Sequence, residues 1–223
     1  GPLDRRHAQA AAPAHRRLTL VGAQPTDLGP ILGSGPRPEV PLELWATHRS
    51  LEVGAVVEVP VDAGATWPPE LLEATLTGAG FEPVVRSRRR WRRARTLADT
   101  VDGTMQVLLV GLNPSVYSAD VGSGFARPGN RFWPAATEAG LVTVPRDPHD
   151  ALVSYEVGMT DLVKRATARA DQLDRDEYRV GAARLERTVA WLQPRIVCIV
   201  GLSGWRAAID RTAAAGVQPA PFG

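Results

Sequence analysis

An amide and an aromatic side chain follow a short apolar segment near the middle of the chain. The segment 106–110 reads QVLLV and runs into Gly111, Leu112 and Asn113; Phe125 lies in the polar stretch beyond. In open α/β sheets, ligands bind just outside the carboxyl ends of strands. An amide and an aromatic ring can hold a flat polar ring without charging it. The pattern therefore predicts a pocket for a base or a nucleotide.

Strands and helices alternate along the part of the chain that must position these side chains, which begins near residue 100. This alternation predicts a three-layer αβα sandwich with a parallel central sheet. Three segments that follow strands, 111–118, 158–165 and 201–205, should converge on one rim. The predicted elements are a strand that ends at Asn113, helices over Arg131–Ala139 and 147–154, a second turn into the site over Val157–Val163, an amphipathic helix over Asp176–Leu192, a buried parallel strand over Ile196–Val200 and a helix over Trp205–Arg211.

A smaller α/β module is predicted over residues 18–95. Strands are expected at Leu18–Val21, 55–59 and 81–85, and Pro68 opens a helix that Gly78 stops. The strand–helix–strand part resembles the C-terminal portion of a class I methyltransferase fold. The glycine-rich cofactor loop of that family is absent, so we expect a degenerate module packed on the main domain.

The N-terminal residues 1–17 carry no hydrophobic period and are rich in Ala, Arg, His and Pro. We expect them to be disordered. The first two residues resemble the scar that remains when a protease removes an affinity tag. The main domain is expected over residues 100–223, after the small module.

Seven arginines crowd into ten positions at the end of the small module, over residues 86–95. Such a run indicates either a contact with nucleic acid or a solvated basic linker. The candidate DNA contacts in it are Arg88, Arg89, Arg90, Arg92 and Arg93. Beyond residue 100 the 13 basic and 13 acidic residues cancel, so bulk charge there does not indicate DNA binding.

Composition narrows the class of protein. No apolar stretch approaches the roughly 20 residues of a membrane helix, so we expect no membrane contact. One cysteine, Cys198, allows no internal disulfide and indicates a reducing cytoplasm, where the protein would associate with the nucleoid. The four scattered histidines and the cysteine form no metal-ligand pattern, so no metal or other cofactor is expected.

Four stretches resemble, in order and spacing, motifs of the mismatch-specific uracil-DNA and thymine-DNA glycosylases. The resemblance covers roughly residues 104–218 and implies a uracil-DNA glycosylase-like fold. It implies hydrolysis of the N-glycosidic bond of uracil, and often of thymine or related lesions, flipped from duplex DNA with G:U or G:T mismatches or damaged bases. The matching stretches are GLNPS at 111–115, FARPGNRFW at 125–133, GMTDLVKRAT at 158–167 and PRIVCIVGLSGW at 194–205.

The resemblance assigns roles to the pocket residues. Asn113 matches the amide that positions the attacking water; its alternative role is a turn residue that satisfies its own backbone. Phe125 matches the aromatic on which the flipped base stacks, and its alternative role is core packing. Backbone N–H groups near Leu112 and Phe125 would receive the carbonyls of uracil. The water needs orientation, which an amide supplies, because an amide cannot deprotonate it.

Asp161 departs from the family pattern, in which the matching position can be Asn or Lys. A carboxylate there could act as general base or stabilise the cationic sugar, and a partly dry site would raise its pKa. Its alternative role is to cap a helix that starts at Leu162.

Several neighbours are secondary candidates. Asn130 and Arg131 resemble residues that shape the pocket and its mouth, where Arg131 would contact DNA, and Trp133 is expected in the core beneath them. Lys164 and Arg165 are candidate phosphate contacts. Ser118 is a candidate for contact with phosphate or substrate. Each of the polar residues could equally be an ordinary surface residue.

The resemblance also implies a further strand followed by a loop that enters the minor groove and reads the opposite guanine. The sequence stops at Gly223, short of where this motif would start, so we expect a domain that is incomplete at its C-terminus. The leading hypothesis is a monomeric, monofunctional DNA glycosylase. The alternative is a catalytically silent module for DNA binding or damage recognition that uses the same pocket.

Overall fold

The computed structural model describes residues 24–214, in which the chain forms seven strands, nine α-helices and one short 3₁₀ helix over Ala170–Gln172. The strands are β1 Thr26–Asp27, β2 Val56–Glu58, β3 Phe81–Pro83, β4 Arg90–Arg93, β5 Val107–Gly111, β6 Val157–Asp161 and β7 Ile196–Ile199. The helices are α1 Gly29–Leu32, α2 Val40–Ser50, α3 Ala63–Thr66, α4 Pro69–Gly78, α5 Val116–Val121, α6 Phe132–Glu138, α7 Pro148–Tyr155, α8 Arg175–Leu192 and α9 Leu202–Ala208. The strand predicted at Leu18–Val21 lies outside the described residues.

A parallel sheet with the order β6-β5-β7 forms the centre of the larger unit. Val107 of β5 pairs with Val157 of β6 on one side and with Ile196 of β7 on the other. All three strands point the same way, so their carboxyl ends lie at one rim. The predicted parallel sheet is confirmed.

Helices cover both faces of this sheet. Successive side chains of β5 point to opposite sides, so the strand presents apolar residues to both faces. Leu108 and Val110 pack in one cluster with Leu185 of α8. Leu109 packs in another cluster with Trp133 of α6. The three-layer αβα arrangement is therefore confirmed, as is the core position of Trp133, which is 2% exposed.

The helix α8 closely matches the prediction from hydrophobic spacing. It begins after Asp174, whose carboxylate accepts a bond from the backbone N–H of Glu177 while the Glu177 carboxylate accepts one from the N–H of Asp174. This reciprocal capping box satisfies two N–H groups at the helix start. The helix ends at Gln193, which has a left-handed φ of 50°.

Two predictions about the other strands were wrong in part. The stretch Val157–Val163 was expected as a turn, but its first five residues form β6, which is buried along its whole length. Ile196–Val200 was expected to be buried, whereas Ile196 is 57% and Val197 38% exposed. Within residues 24–214, β7 has a neighbouring strand on one side only, which leaves its apolar side chains uncovered there.

The smaller unit contains a second sheet with the order β1-β2-β4-β3. The predicted strands at 55–59 and 81–85 and the helix after Pro68 are observed as β2, β3 and α4. The arginine run supplies a strand that was not predicted, since β4 lies between β2 and β3 and pairs antiparallel with both. Trp91 points inward from it and is 8% exposed.

The two units pack against each other along α4 and α8. The ring of Trp67, next to α3, meets that of Trp191 edge-on at a centroid distance of 5.7 Å. The backbone N–H of Asp99 donates to the carbonyl of Gly78 at the end of α4, at 2.8 Å. No helix among residues 24–214 has the length and apolar character needed to cross a membrane.

Candidate active site

A small cavity of about 100 Å³ opens at the carboxyl ends of β5 and β6. The loop before α6 closes its other side. The cavity brings together five of the six predicted catalytic and substrate-binding residues, namely Asn113, Ser118, Phe125, Asn130 and Asp161. The lining is completed by Leu97, Pro114, Ser115, Gly124 and Arg127. A larger cleft of about 470 Å³ between α8 and α9 shares no lining residue with it.

Asp161 is the last residue of β6 and presents its carboxylate to the cavity. The side chain is buried, and the carboxylate makes no hydrogen bond to any residue within 24–214. No helix begins at Leu162, so the alternative in which Asp161 caps a helix is wrong. The carboxylate opens onto the cavity, so water can reach its oxygens, but its low exposure still disfavours the charged form and makes it a candidate for a functional group.

Gly111 of β5 makes the position of the carboxylate possible. The two residues are paired in the parallel register. A Cβ atom on Gly111 would collide with Oδ1 of Asp161 and would approach Cζ of Phe125 to 3.3 Å. The absence of a side chain at this strand end therefore leaves room for both groups to reach the cavity.

Burial raises the pKa of Asp161 from 3.8 to about 6. The positive charge of Lys164 opposes this shift, the negative charge of Asp99 adds to it, and Arg184 opposes it. At neutral pH the carboxylate is therefore mostly ionised but holds a proton more readily than an exposed aspartate. This is the property that a general base needs near neutral pH.

Asn113 lies two residues beyond β5, and its amide is fixed in one orientation. Its Nδ2 donates to the carbonyl of Arg165 at 3.0 Å and to Oγ1 of Thr167 at 2.8 Å. The Thr167 hydroxyl donates its own proton to the carbonyl of Arg169, so it must accept from Asn113. The bond to its neighbour Pro114 is longer, at 3.2 Å.

This network leaves the amide oxygen of Asn113 available. Within the described residues no group donates to Oδ1. The alternative in which Asn113 only satisfies its own turn is therefore incomplete, because its strongest bonds cross to the loop after β6. The free oxygen is an acceptor that can orient a water molecule.

Phe125 is half-buried and combines a ring contact with a strained backbone. Its ring stacks on that of Phe132 with a centroid distance of 4.0 Å and an interplanar angle of 22°. Its φ of 56° lies in the left-handed region, which costs a residue with a Cβ about 1–2 kcal/mol. Such strain persists where the surroundings enforce it, and functional loops are common places for it.

The mouth of the cavity carries polar side chains from the loop before α6. Asn130 Oδ1 accepts a bond from the N–H of Phe132 at 2.9 Å and so holds the start of α6. Arg131 is exposed beside it but does not line the cavity. Arg127 does line it and was not singled out from the sequence, since one arginine in a loop gives no distinctive signal.

Ser118 and Leu112 take different positions relative to the cavity. Ser118 lies in the first turn of α5, is 3% exposed and faces Ser115, whose Oγ accepts its N–H at 3.1 Å. It therefore contributes to the cavity wall. Leu112 is absent from the lining, and its side chain packs towards Gly204 of α9 and the core beside α8.

The two candidate phosphate contacts after β6 are both paired with carboxylates of the protein. The Lys164 ammonium lies 2.6 Å from Oδ1 of Asp99, and its side chain is 10% exposed. Arg165 makes two bonds to Glu177, at 2.6 and 2.8 Å. The contact of Lys164 favours an internal structural role, whereas Arg165 is paired but 51% exposed, and contact of either residue with DNA stays a prediction.

The arginines of the basic run also differ from one another. Arg89 donates to the carbonyl of Val59 at 2.9 Å, Arg93 donates to that of His48 at 2.7 Å, and both bonds tie β4 to its surroundings. Arg92 pairs with Glu82 at 2.6 Å, and Arg90 lies 3.9 Å from Glu58. Arg88 is exposed and has no polar partner among residues 24–214.

The described residues contain no group of three or more side chains suited to hold a metal ion. The side chains on the cavity lining that can take part in chemistry include those of Asp161, Asn113 and Phe125. Residues 98–219 match a family model, the one described as Uracil DNA glycosylase superfamily. The match spans more than half of the chain and includes every polar residue of the cavity.

Proposed function

Because the chain belongs to the uracil DNA glycosylase superfamily, and is on that ground a DNA glycosylase that acts on uracil, we propose a finer assignment. In this assignment the protein flips uracil out of mismatched duplex DNA and hydrolyses its N-glycosidic bond, which leaves an abasic site. G:U mismatches are the proposed main substrate, with G:T mismatches and other damaged bases as further ones. The protein acts as a monomer.

The reaction breaks the bond between N1 of uracil and C1′ of the sugar, and the electron pair leaves with the base. The sugar becomes cationic as the bond lengthens, and a water oxygen then bonds to C1′. One proton of that water must be removed. An ionised Asp161 carboxylate at the cavity wall can stabilise the cationic sugar and accept this proton.

Asn113 complements the carboxylate by orienting the same water. Its Nδ2 is occupied by the loop after β6, so its Oδ1 is the atom that accepts a hydrogen bond from water. Orientation of a nucleophile contributes substantially when the bond to the leaving group is already largely broken. The Asn113 amide therefore positions the water, and the Asp161 carboxylate removes its proton.

Phe125 provides the surface for the flipped base. Base–aromatic stacking contributes about 1–3 kcal/mol per base. The ring is already stacked on Phe132, which fixes its plane before a base arrives. A fixed ring loses little conformational entropy on binding.

The single lysine of the chain supports a monofunctional reaction. A glycosylase that also cleaves the strand uses an amine to form a Schiff base, and a lysine is the usual source of the amine. The Lys164 ammonium is paired with Asp99 in a buried position. Borohydride added during turnover should therefore trap no covalent complex with DNA, and a trapped complex would contradict the monofunctional proposal.

One observation carries the proposal: a nearly buried carboxylate that has no hydrogen-bond partner among residues 24–214 shares a cavity with the amide oxygen of Asn113, which is also free within those residues, and with the ring of Phe125. A module that only binds DNA has no use for a carboxylate with a raised pKa beside the base pocket. The silent-module alternative predicts binding of uracil-containing duplex without base release.

The test is single-turnover excision from duplexes that differ in one base pair. We expect alkali-sensitive sites in a G:U duplex, fewer in A:U, and a loss of at least about tenfold for Asp161→Ala and for Asn113→Ala. Asp120→Asn is the matched control, because Asp120 is an exposed carboxylate paired with Arg95 away from the cavity. Binding without excision by the wild type would favour the silent module.

A further inference from the structure

The segment 94–99 connects the small unit to the catalytic unit and runs beside the loop 160–164. Leu97 on this connector lines the cavity and is 8% exposed. The hydroxyl of Thr96 donates a short hydrogen bond to the carbonyl of Lys164. The family match begins at residue 98, so part of the cavity wall comes from outside the matched region.

Asp99 ends this connector and is the centre of a buried polar cluster, which consists of Asp99, Thr160, Lys164 and Arg184. Its Oδ1 accepts bonds from the hydroxyl of Thr160 and the ammonium of Lys164, both at 2.6 Å. Its Oδ2 accepts a bond from Nη1 of Arg184 at 2.7 Å. The side chain of Asp99 is thus satisfied on both oxygens.

The buried polar cluster reaches the backbone of Asp161 through Arg184. Nη2 of Arg184 donates to the carbonyl oxygen of Asp161 at 2.5 Å and to the hydroxyl of Thr160 at 3.1 Å. Asp99 therefore binds Thr160, which precedes Asp161, and Lys164, which lies three residues after Asp161. It also binds Arg184, which donates to the backbone carbonyl of Asp161.

Close backbone packing fixes the same loop from the other sides. The N–H of Leu162 donates to the carbonyl of Gly111 at 2.8 Å. A Cβ atom on Gly181 of α8 would collide with the carbonyl oxygen of Leu162, so this helix lies directly against the loop. The side that remains is the one held by Asp99.

We propose that Asp99 is a positioning residue for hydrolysis: through Thr160, Lys164 and Arg184 it fixes the loop that presents Asp161 to the cavity, and it keeps the Lys164 ammonium away from the Asp161 carboxylate. This inference rests on the proposed role of Asp161. It assigns a catalytic contribution to the connector between the two units.

The charges around Asp161 give the proposal a distinctive signature. Lys164 lies on its own loop, Asp99 on the connector and Arg184 on α8, while Arg127 lines the cavity and β5 contributes the uncharged Gly111. After burial itself, the two cations lower the pKa of Asp161 and Asp99 raises it. Loss of Asp99 should therefore lower this pKa, whereas loss of Lys164 should raise it.

The experiment compares full-length Asp99→Asn, Lys164→Met and Asp120→Asn with the wild type. Single-turnover uracil excision is measured against pH, and the carboxyl carbon of Asp161 is titrated by NMR in the same proteins. We expect the acidic midpoint to fall by about half a unit or more in Asp99→Asn and to rise in Lys164→Met. Excision at the plateau should fall at least about tenfold in Asp99→Asn, with no change in Asp120→Asn.

Each outcome decides the proposal. Unchanged midpoints and an unchanged plateau rate in folded variants overturn it, even when stability falls. If Asp99→Asn does not fold, the plateau rate of Lys164→Met decides, because Lys164 is one of the contacts through which Asp99 holds the loop, and an unchanged rate overturns the proposal. The NMR titration needs no turnover, so a wild type that excises no uracil defeats the proposed function while the placement of Asp161 by Asp99 is still tested.

Discussion

Two buried carboxylates lie on either side of the end of β6, and the protein treats them in opposite ways. Asp99, behind the strand, accepts three hydrogen bonds from Thr160, Lys164 and Arg184. Asp161, in front of it, accepts none from residues 24–214. Burial alone would raise both pKa values, but the partners of Asp99 hold its pKa below the ordinary value while that of Asp161 is raised to about 6.

This contrast separates a structural acid from a functional one. A satisfied buried carboxylate orders the elements around it, as Asp99 does for the connector, β6 and α8. An unsatisfied one costs stability and is kept where its charge is used. Both acids are needed in this account, because the first holds the loop that carries the second.

The largest expected effect on stability is the loss of the structural acid. Asp99→Asn leaves Lys164 and Arg184 buried with no anion between them and should lower the free energy of unfolding by about 3–5 kcal/mol near pH 7. Because the folded pKa of Asp99 is lowered, its stabilisation is present above its unfolded pKa and is lost as pH falls through the folded value. Urea unfolding at several pH values measures this; a loss no larger than that of Asp120→Asn would remove the contrast.

The functional acid should show the opposite sign. The pKa of Asp161 is higher in the folded state, so folding loses stability as pH rises from about 4 through about 6. Asp161→Asn should therefore be more stable than the wild type by about 3 kcal/mol at pH 8, with the difference vanishing near pH 4. Equal stability at both pH values would mean that the carboxylate is satisfied in solution.

A glycine pair tests whether the space beside Asp161 matters. Gly111→Ala places a methyl group against the carboxylate and should cost about 1–3 kcal/mol of stability as well as excision rate. Gly64→Ala is the matched control, because nothing lies within 4 Å of its Cβ in α3 and alanine favours a helix. If both variants excise uracil equally well, the close approach has no catalytic role.

Loss of the Phe125 ring should cost a free energy similar to that of Gly111→Ala, but the cost should appear only in binding of the substrate. Phe125→Ala should weaken binding of the flipped base by about 1–3 kcal/mol. The pH midpoint set by Asp161 should not move, because the ring carries no charge. Single-turnover rates measured against enzyme concentration separate the affinity for the substrate from the rate of the bound complex. A shifted pH midpoint in Phe125→Ala would show that the ring also shapes the environment of the carboxylate.

The smallest effect is expected at the surface, where charges are screened. Arg88 has no partner among residues 24–214, so Arg88→Ala should weaken binding of duplex DNA modestly and reduce the salt slope of log K by about one. Arg92 is already paired with Glu82, and Arg92→Ala should change the slope less. Salt titrations of binding measure both, and equal slopes in all three proteins would remove Arg88 from the DNA contacts.

Local patterns predicted most of the elements that carry the site. The apolar run 106–110, the helix over Asp176–Leu192 and the loop with Phe125 follow from hydrophobic spacing and turn residues, which act over a few neighbours. The strand over Arg90–Arg93 was missed because its single inward residue, Trp91, gives no alternating apolar pattern. Its partners on β2 and β3 determine it.

The state of the individual acids could not be predicted in the same way. The sequence allowed Asp161 to be either a helix cap or a catalytic group. The two roles are distinguished by whether a helix begins at Leu162, and this depends on the fold of the chain after β6. Lys164 suggested a surface cation, yet its partner Asp99 lies 65 residues earlier. Leu97 carries no chemical signal at all and enters the cavity wall only because two units meet there.

The central claim is that the Asp161 carboxylate, which has no hydrogen-bond partner within residues 24–214, is the base that controls excision. It is tested most directly by the pH dependence of single-turnover uracil excision from a G:U duplex, in the wild type and in Asp161→Asn. The account predicts a wild-type rate that rises to a plateau with a midpoint near pH 6, and a variant that is at least about tenfold slower and independent of pH in that range. A variant that retains both the rate and the midpoint of the wild type would contradict it.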